Sequence, residues 1–136
     1  MNLNDFDLRP SNVNDKDMIL SWRNSDEVRS KMYESTMISP EVHNKWFSGI
    51  KNQDDKVCLI FEYQNTPYGV VTGSLRIKES NTWTWGCYLG STMPIPGLGT
   101  VMGYLAMIYF FETRCVEMLV GEMIKTNKKS HRFNLS

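Results

Sequence analysis

Three apolar-rich runs in the middle of the chain, parted by short polar turns, constrain the fold more than any other feature. VCLIFEY at 57–63 leads into QNTP, YGVVTGSLRI at 68–77 leads into KESN, and TWTWGCYL at 82–89 completes the set. Runs of this length, rich in β-branched and aromatic residues and joined by so few residues, pair with their sequence neighbours, so an antiparallel meander is predicted. A meander has a face to cover, and the chain supplies the cover next. PIPGLGT at 94–100 is followed by VMGYLAMIYFFETR at 101–114, which predicts an apolar helix packed on the sheet. VEMLVGEMI at 116–124 then reads as a buried strand, and Asn127 opens a last helical turn, NKKSHRFN.

Ahead of the meander, FDLRP is a short strand closed by Pro10. Asn14 or Asp15 caps a helix, DKDMILSWRN, with Met18, Ile19 and Trp22 at helical spacing. SDEVRSKMY begins a second helix at Ser25, with Val28 and Met32 on one face. Ser39-Pro40 is a capping residue followed by proline at the first helical position. The helix it opens, EVHNKWFSGIK, places Val42, Trp46 and Ile50 at i, i+4, i+8. The order β, α, α, α, β, β, β, α, β, α predicts one α/β (α+β) domain over 1–136, with helices flanking a mixed, mostly antiparallel sheet.

Fifteen basic and fifteen acidic residues cancel in 136, without a long block of either sign, so neither nucleic acid nor an anionic membrane is an expected partner. The basic cluster KTNKKSHR at 125–132 reads as a solvated helix end. Cys58, Cys87 and Cys115 are far apart, and His43 and His131 stand at no ligand spacing to them. No metal is therefore expected, and reduced thiols of a cytoplasmic protein fit better. MNLNDFDLRP lacks the basic and apolar regions of a signal peptide, and the apolar stretch around 101–111 is too short to span a bilayer.

The glycine loop has chemical potential of its own. A strand, a Gly-x-Gly turn and a helix present unpaired backbone N–H groups, and a helix N-terminus carries about half a positive charge. No lysine follows Gly99, which excludes a Walker loop, and the antiparallel strand before it argues against a dinucleotide fold. Taken alone, the loop reads more readily as a structural turn than as an anion cradle.

The meander, the glycine loop, the helix, the strand and then Asn127 and Ser130 together resemble the acetyl-CoA-binding half of the GNAT N-acetyltransferase superfamily. The superfamily pattern, Gln/Arg-x-x-Gly-x-Gly/Ala, is matched at Gly97 and Gly99, with Pro94 in its first position. The resemblance implies that backbone amides around Gly97, Leu98, Gly99 and Thr100 hold the pyrophosphate of acetyl-CoA, with Asn127 and Ser130 in the same site. Pro96, lacking an N–H, takes no part. It also implies that the thioester lies beside Cys87, Tyr88 and Leu89, a backbone N–H there polarising its carbonyl, with Gly86 at a bulge or splay point.

SWRNSDEVRSKMYESTMIS at 21–39 is similar to the flagellin-modification acetyltransferases of that superfamily, which acetylate the 4-amino group of a UDP-linked 4-amino-4,6-dideoxy sugar on the route to pseudaminic acid. That likeness implies Arg23 and Asn24 against a phosphate or uracil, Met32 and Tyr33 against the hexose, His43 reaching a diphosphate, and Trp85 flanking sugar or pantetheine, with Trp83 packing the sheet. Ser74 and Glu122 would relay the amine proton through water. Plainer roles stand beside these: a backbone-bonded hydroxyl for Ser74, a structural pair for Glu122, dipole complementation for Arg23, core packing for Met32, and a surface position for His43. Many relatives carry a tyrosine where this chain has Asn134, whose amide cannot protonate a thiolate. The closing strand of the family is expected after Ser136 and is missing from this chain. Expected partners are acetyl-CoA and a UDP-amino sugar, with a homodimer left open. Two rival readings remain: a GNAT enzyme acting on protein N-terminal amines, and a non-catalytic acyl-CoA-binding domain.

Overall fold

In the computed structural model the residues described are 3–25, 28, 37–51, 54–90 and 95–121. Five strands form one sheet in sequence order: β1 (Phe6–Pro10), β2 (Lys56–Tyr63), β3 (Thr66–Ile77), β4 (Thr82–Leu89) and β5 (Met118–Gly121). The first four are antiparallel neighbours, and β5 runs parallel to β4. Among the described residues the helices with full bounds are α1 (Lys16–Asn24), α2 (Pro40–Lys51) and α3 (Leu98–Ile108). The predicted mixed, mostly antiparallel sheet flanked by helices is observed, and its β2–β3–β4 centre is the meander.

Alternation along the strands sorts the core into two layers. Val57, Leu59, Phe61, Val71, Trp83 and Trp85 face α3 and pack with Leu98, Met102, Ala106 and Phe110. Cys58, Ile60 and Val70 face the other way, onto Ile19 of α1 and Phe47 of α2. Both faces of β2 are covered, which is why its sequence reads as an unbroken apolar run rather than an alternation. Gly73 is needed for the α3 layer: a Cβ there would lie 2.5 Å from Cζ of Phe110.

Several local expectations are corrected. Asn12, not Asn14 or Asp15, caps the entry to α1: its side chain accepts from Asn14 N–H, and Asp15 accepts from Asn12 N–H at 2.8 Å. This capping box closes a 3-10 turn, Val13–Asp15, ahead of α1. Asp15 also receives both terminal nitrogens of Arg9, at 2.8 and 2.9 Å, while Arg9 Nε donates to Glu62 at 3.1 Å. The Arg9 hydrogen bonds hold the Asp15 carboxyl below its usual range against the opposing effect of burial.

Ser39 caps α2 as predicted, accepting from Val42 N–H, but the buried face is one residue out of phase. Val42 is 59% exposed and Trp46 37%, whereas His43 and Phe47 are buried. Both pairs satisfy i, i+4, so periodicity alone cannot choose between them; contact with α1 and β2 does. The apolar run after the glycine loop becomes helical earlier than predicted, at Leu98, and gives way to a π-turn over Tyr109–Thr113. β5, expected to be buried, has Met118 59% and Val120 40% exposed, because among the described residues no element covers that side of it. The helix expected over 25–33 and the turn from Asn127 lie outside the described residues, apart from Ser25 and Val28.

Candidate functional site at the C-terminal end of β4

β4 is bonded to β3 along its whole length, from Ile77↔Thr82 to Gly69↔Leu89. Its ladder with β5 covers only Thr82–Trp85 against Met118–Gly121. Among the described residues, Gly86–Leu89 therefore have a strand on one side only, and this stretch includes the expected thioester positions Cys87, Tyr88 and Leu89. Their side chains divide between the faces: Cys87 and Leu89 pack with the α3 layer, Tyr88 with the α1 layer. Burial pushes the Cys87 thiol up to about 12 and the Tyr88 phenol above its ordinary range, the Arg23 charge opposing the latter. Neither group is ionised at neutral pH.

The glycine loop lies at the same end. Gly97 is left-handed at φ 87°, stands at the N-cap of α3, and has no side chain to cap the helix. Leu98 is buried and anchors the first turn, its N–H donating to Ile95 at a marginal 3.5 Å. The N–H groups of Gly99 and Thr100 belong to the first turn, where no intrahelical acceptor exists. The two glycines have different causes. Among the described residues a Cβ on Gly97 would meet nothing within 4 Å, so what calls for glycine there is its φ. At Gly99 the nearest atom would be Leu89 Cδ1, at 3.8 Å, so nothing within the described protein demands glycine there.

The end of α1 reaches this region too. A Cβ on Gly90, the residue after β4, would fall inside the indole of Trp22, so glycine is what lets α1 close on the strand end. Arg23, next in sequence, is close enough to Tyr88 for its charge to act on the phenol. The Trp22–Gly90 contact escaped the sequence reading; its available signal was a glycine immediately after a strand rich in aromatics.

Other expected site residues have local structural partners. The Asn24 amide is fully engaged with one peptide group, Nδ2 donating to Ile38 O at 2.8 Å and Oδ1 accepting from Ile38 N–H at 2.7 Å. His43 was expected on a polar, exposed helix face; it is 3% exposed and its Nε2 donates to Lys16 O at 2.8 Å, tying α2 to α1. Trp83 and Trp85 were read as different in kind, yet period-2 alternation puts both in the α3 layer, each tilted on Phe110. Ser74 lies opposite Thr84, with the hydroxyls 3.2 Å apart, in the row that continues to Val120. Glu122, Met32, Tyr33, Asn127, Ser130, Pro94 and Asn134 lie outside the described residues.

A separate cavity of 390 Å³ opens at the β1–β2 edge, between residues such as Asn12, Phe47, Lys56 and Tyr109, and no expected site residue lines it. Among the described residues, no three His, Cys, Asp or Glu side chains are grouped as a metal site would require. No helix of the described residues is long and apolar enough to cross a membrane.

No family model matches the sequence, and no curated protein does. Solved structures do match. A spermidine N-acetyltransferase from Vibrio cholerae, in complex with CoA and spermine, superposes with a TM-score of 0.85 at 13% identity, over 96% of this chain and 78% of that one. FdhC, described as a nucleotide-linked sugar GNAT, gives 0.78 at 23% identity, over 97% and 76%. The Campylobacter jejuni N-acetyltransferase PseH gives 0.69 at 16% identity, over 95% and 83%. The fold is thus the one these GNAT acetyltransferases share.

Proposed function

We propose that the protein is an N-acetyltransferase moving acetyl from acetyl-CoA to an amine, the acceptor being the 4-amino group of a UDP-linked 4-amino-4,6-dideoxy sugar. One observation carries the reading. The helix N-terminus without a side-chain cap at Gly97–Thr100 and the Trp22–Arg23 end of α1 meet the same end of β4, where Gly86–Leu89 have a described neighbour on one side only. The fold shared with FdhC and PseH supports it, as does the similarity of segment 21–39 to enzymes of flagellin sugar modification.

In this reading acetyl-CoA supplies the activated acetyl group. The amides of Gly99 and Thr100 receive the pyrophosphate, joined by that of Leu98 if it gives up its long bond to Ile95 O, the helix dipole adding favourable charge. A backbone N–H of Cys87–Leu89 polarises the thioester carbonyl and stabilises the oxyanion as the neutral amine attacks. Ser74 and Glu122 carry the amine proton away through water, and water protonates the thiolate, because Asn134 has no acidic proton to give. Arg23 faces the diphosphate of the acceptor, while Met32 and Tyr33 take the hexose and Asn127 and Ser130 complete the coenzyme site. Asn24, His43 and Trp85 act as supports, holding the α1–α2 layer and the core behind the site. A cytoplasmic setting belongs to the same reading, since acetyl-CoA and nucleotide sugars are made there.

The test is thioester release from acetyl-CoA against a panel of UDP-4-amino sugars, N-terminal peptides and polyamines. Release with a UDP-4-amino sugar alone is the expected result. Release only with peptides or polyamines would remove the sugar from the reading. Binding of acetyl-CoA with no release across the panel would remove the enzyme.

A further inference from the structure

We infer that Asn81, in the β3–β4 turn, is a positioning residue that sets β5 beside β4; this rests on the reading that the end of the β4–β5 pair receives the thioester. Asn81 adopts a left-handed backbone at φ 46°, a conformation that asparagine tolerates better than most residues. Its Nδ2 donates to Cys115 O at 2.7 Å, and its Oδ1 accepts from Trp83 Nε1 at 2.9 Å. Its own carbonyl accepts from Glu117 N–H at 3.2 Å, and its N–H closes the turn onto Lys78 O. One residue thereby binds the β3–β4 turn, the first indole of β4 and both ends of the connection that delivers β5.

That connection has its own left-handed residue, Cys115 at φ 55°, and leads directly into the register Thr82↔Met118. A parallel strand has no hairpin to define its pairing, and slipping by one residue would turn every side chain of β5 to the other face. The described ladder is four pairs long, so the entry point has most of the control over register. The surroundings reinforce the latch. The Arg114 guanidinium lies 4.9 Å from the centre of the Trp83 ring and donates to Asp54 O at 2.6 Å. Among the described residues no hydrogen bond joins Asn81 to the glycine loop, which begins α3 at the far end of that helix. Disturbing it should therefore shift β5 and leave pyrophosphate binding alone.

Two substitutions separate these roles. Asn81→Gly keeps the left-handed turn and loses both side-chain bonds. Asn81→Asp keeps the acceptor for Trp83 and sets a carboxylate oxygen against Cys115 O. The measurements are amide hydrogen exchange, acetyl-CoA binding, and turnover with whichever panel amine gives the fastest release, all well below the melting temperature. In both variants the amides of Met118–Gly121 should exchange about tenfold faster or more, while those of Val57–Phe61 do not change. Turnover should fall about tenfold or more in kcat, with acetyl-CoA Kd held within about twofold. A residue with only a structural role would lower Tm and leave kcat unchanged, and that result overturns the inference. Unchanged β5 exchange overturns it as well, whatever happens to turnover. If the unsubstituted protein releases no CoA with any amine, the proposed function fails, and the exchange data still decide whether Asn81 holds β5.

Discussion

Replacing Gly99 separates the demands of the fold from those of the ligand. Gly99 is the second residue of α3, with no positive φ, and the nearest described atom to an added Cβ is 3.8 Å away. Alanine and leucine are better helix formers than glycine by about 0.8 kcal/mol in a helix interior, and a first-turn position should realise about half of that. For a chain of 136 residues this corresponds to a rise in Tm of about 1–2 °C. Binding should behave differently. A helical side chain leans back toward the helix N-terminus, so Leu at 99 would lie over the turn that presents the free amides. A pyrophosphate oxygen must approach those amides to about 2.9 Å, and an isobutyl group in that space prevents it. Gly99→Leu should raise the acetyl-CoA Kd by about tenfold or more, a loss of about 1.4 kcal/mol, whereas Gly99→Ala should stay within about threefold. Calorimetric titration with acetyl-CoA and scanning calorimetry of the free protein measure the two quantities. If Gly99→Leu binds acetyl-CoA like its parent, no anion approaches this loop and the coenzyme assignment fails. If either variant melts several degrees lower, the space around Gly99 is not open.

Three further outcomes follow from the packing and the charges. Gly73→Ala would bring a methyl to 2.5 Å from the Phe110 ring and should cost about 1–3 kcal/mol by denaturant titration; combining it with Phe110→Leu should recover part of that loss. Asp15→Asn should cost about 2 kcal/mol at neutral pH. Because the folded Asp15 carboxyl is depressed, its contribution is present above the ordinary carboxylate pKa and is lost as pH falls through the folded value, so the parent and the variant should converge in stability under acid. Cys58 and Cys87, raised to about 11 and about 12 by burial, should react slowly with a thiol reagent at pH 8, while exposed Cys115 reacts promptly; prompt labelling of all three would contradict the packing.

The sheet was legible because its signals are local. Strand β4 was predicted over the residues it occupies, 82–89, since its turns are short and its neighbours adjacent in sequence. Helix phase was not legible. Val42 and Trp46 satisfy the same spacing as His43 and Phe47, and the choice falls to Lys16 O, 27 residues away, which accepts from His43. The pair Asn24 and Ile38 was hidden for the same reason, their contact depending on a return of the chain that no local pattern encodes.

By itself, the sequence determined the meander, the helix that covers it and the glycine at the head of that helix. These depend on alternation, turn length and φ, all of which are properties of neighbouring residues. Only the tertiary structure decided that Trp22 closes on Gly90, that β5 pairs parallel with β4, and that a Cβ at Gly99 would meet no described atom closer than 3.8 Å. Those outcomes depend on distances between residues far apart in the chain. Gly97 and Gly99 look alike as letters; the fold requires glycine at the first, and at the second leaves the choice to whatever binds.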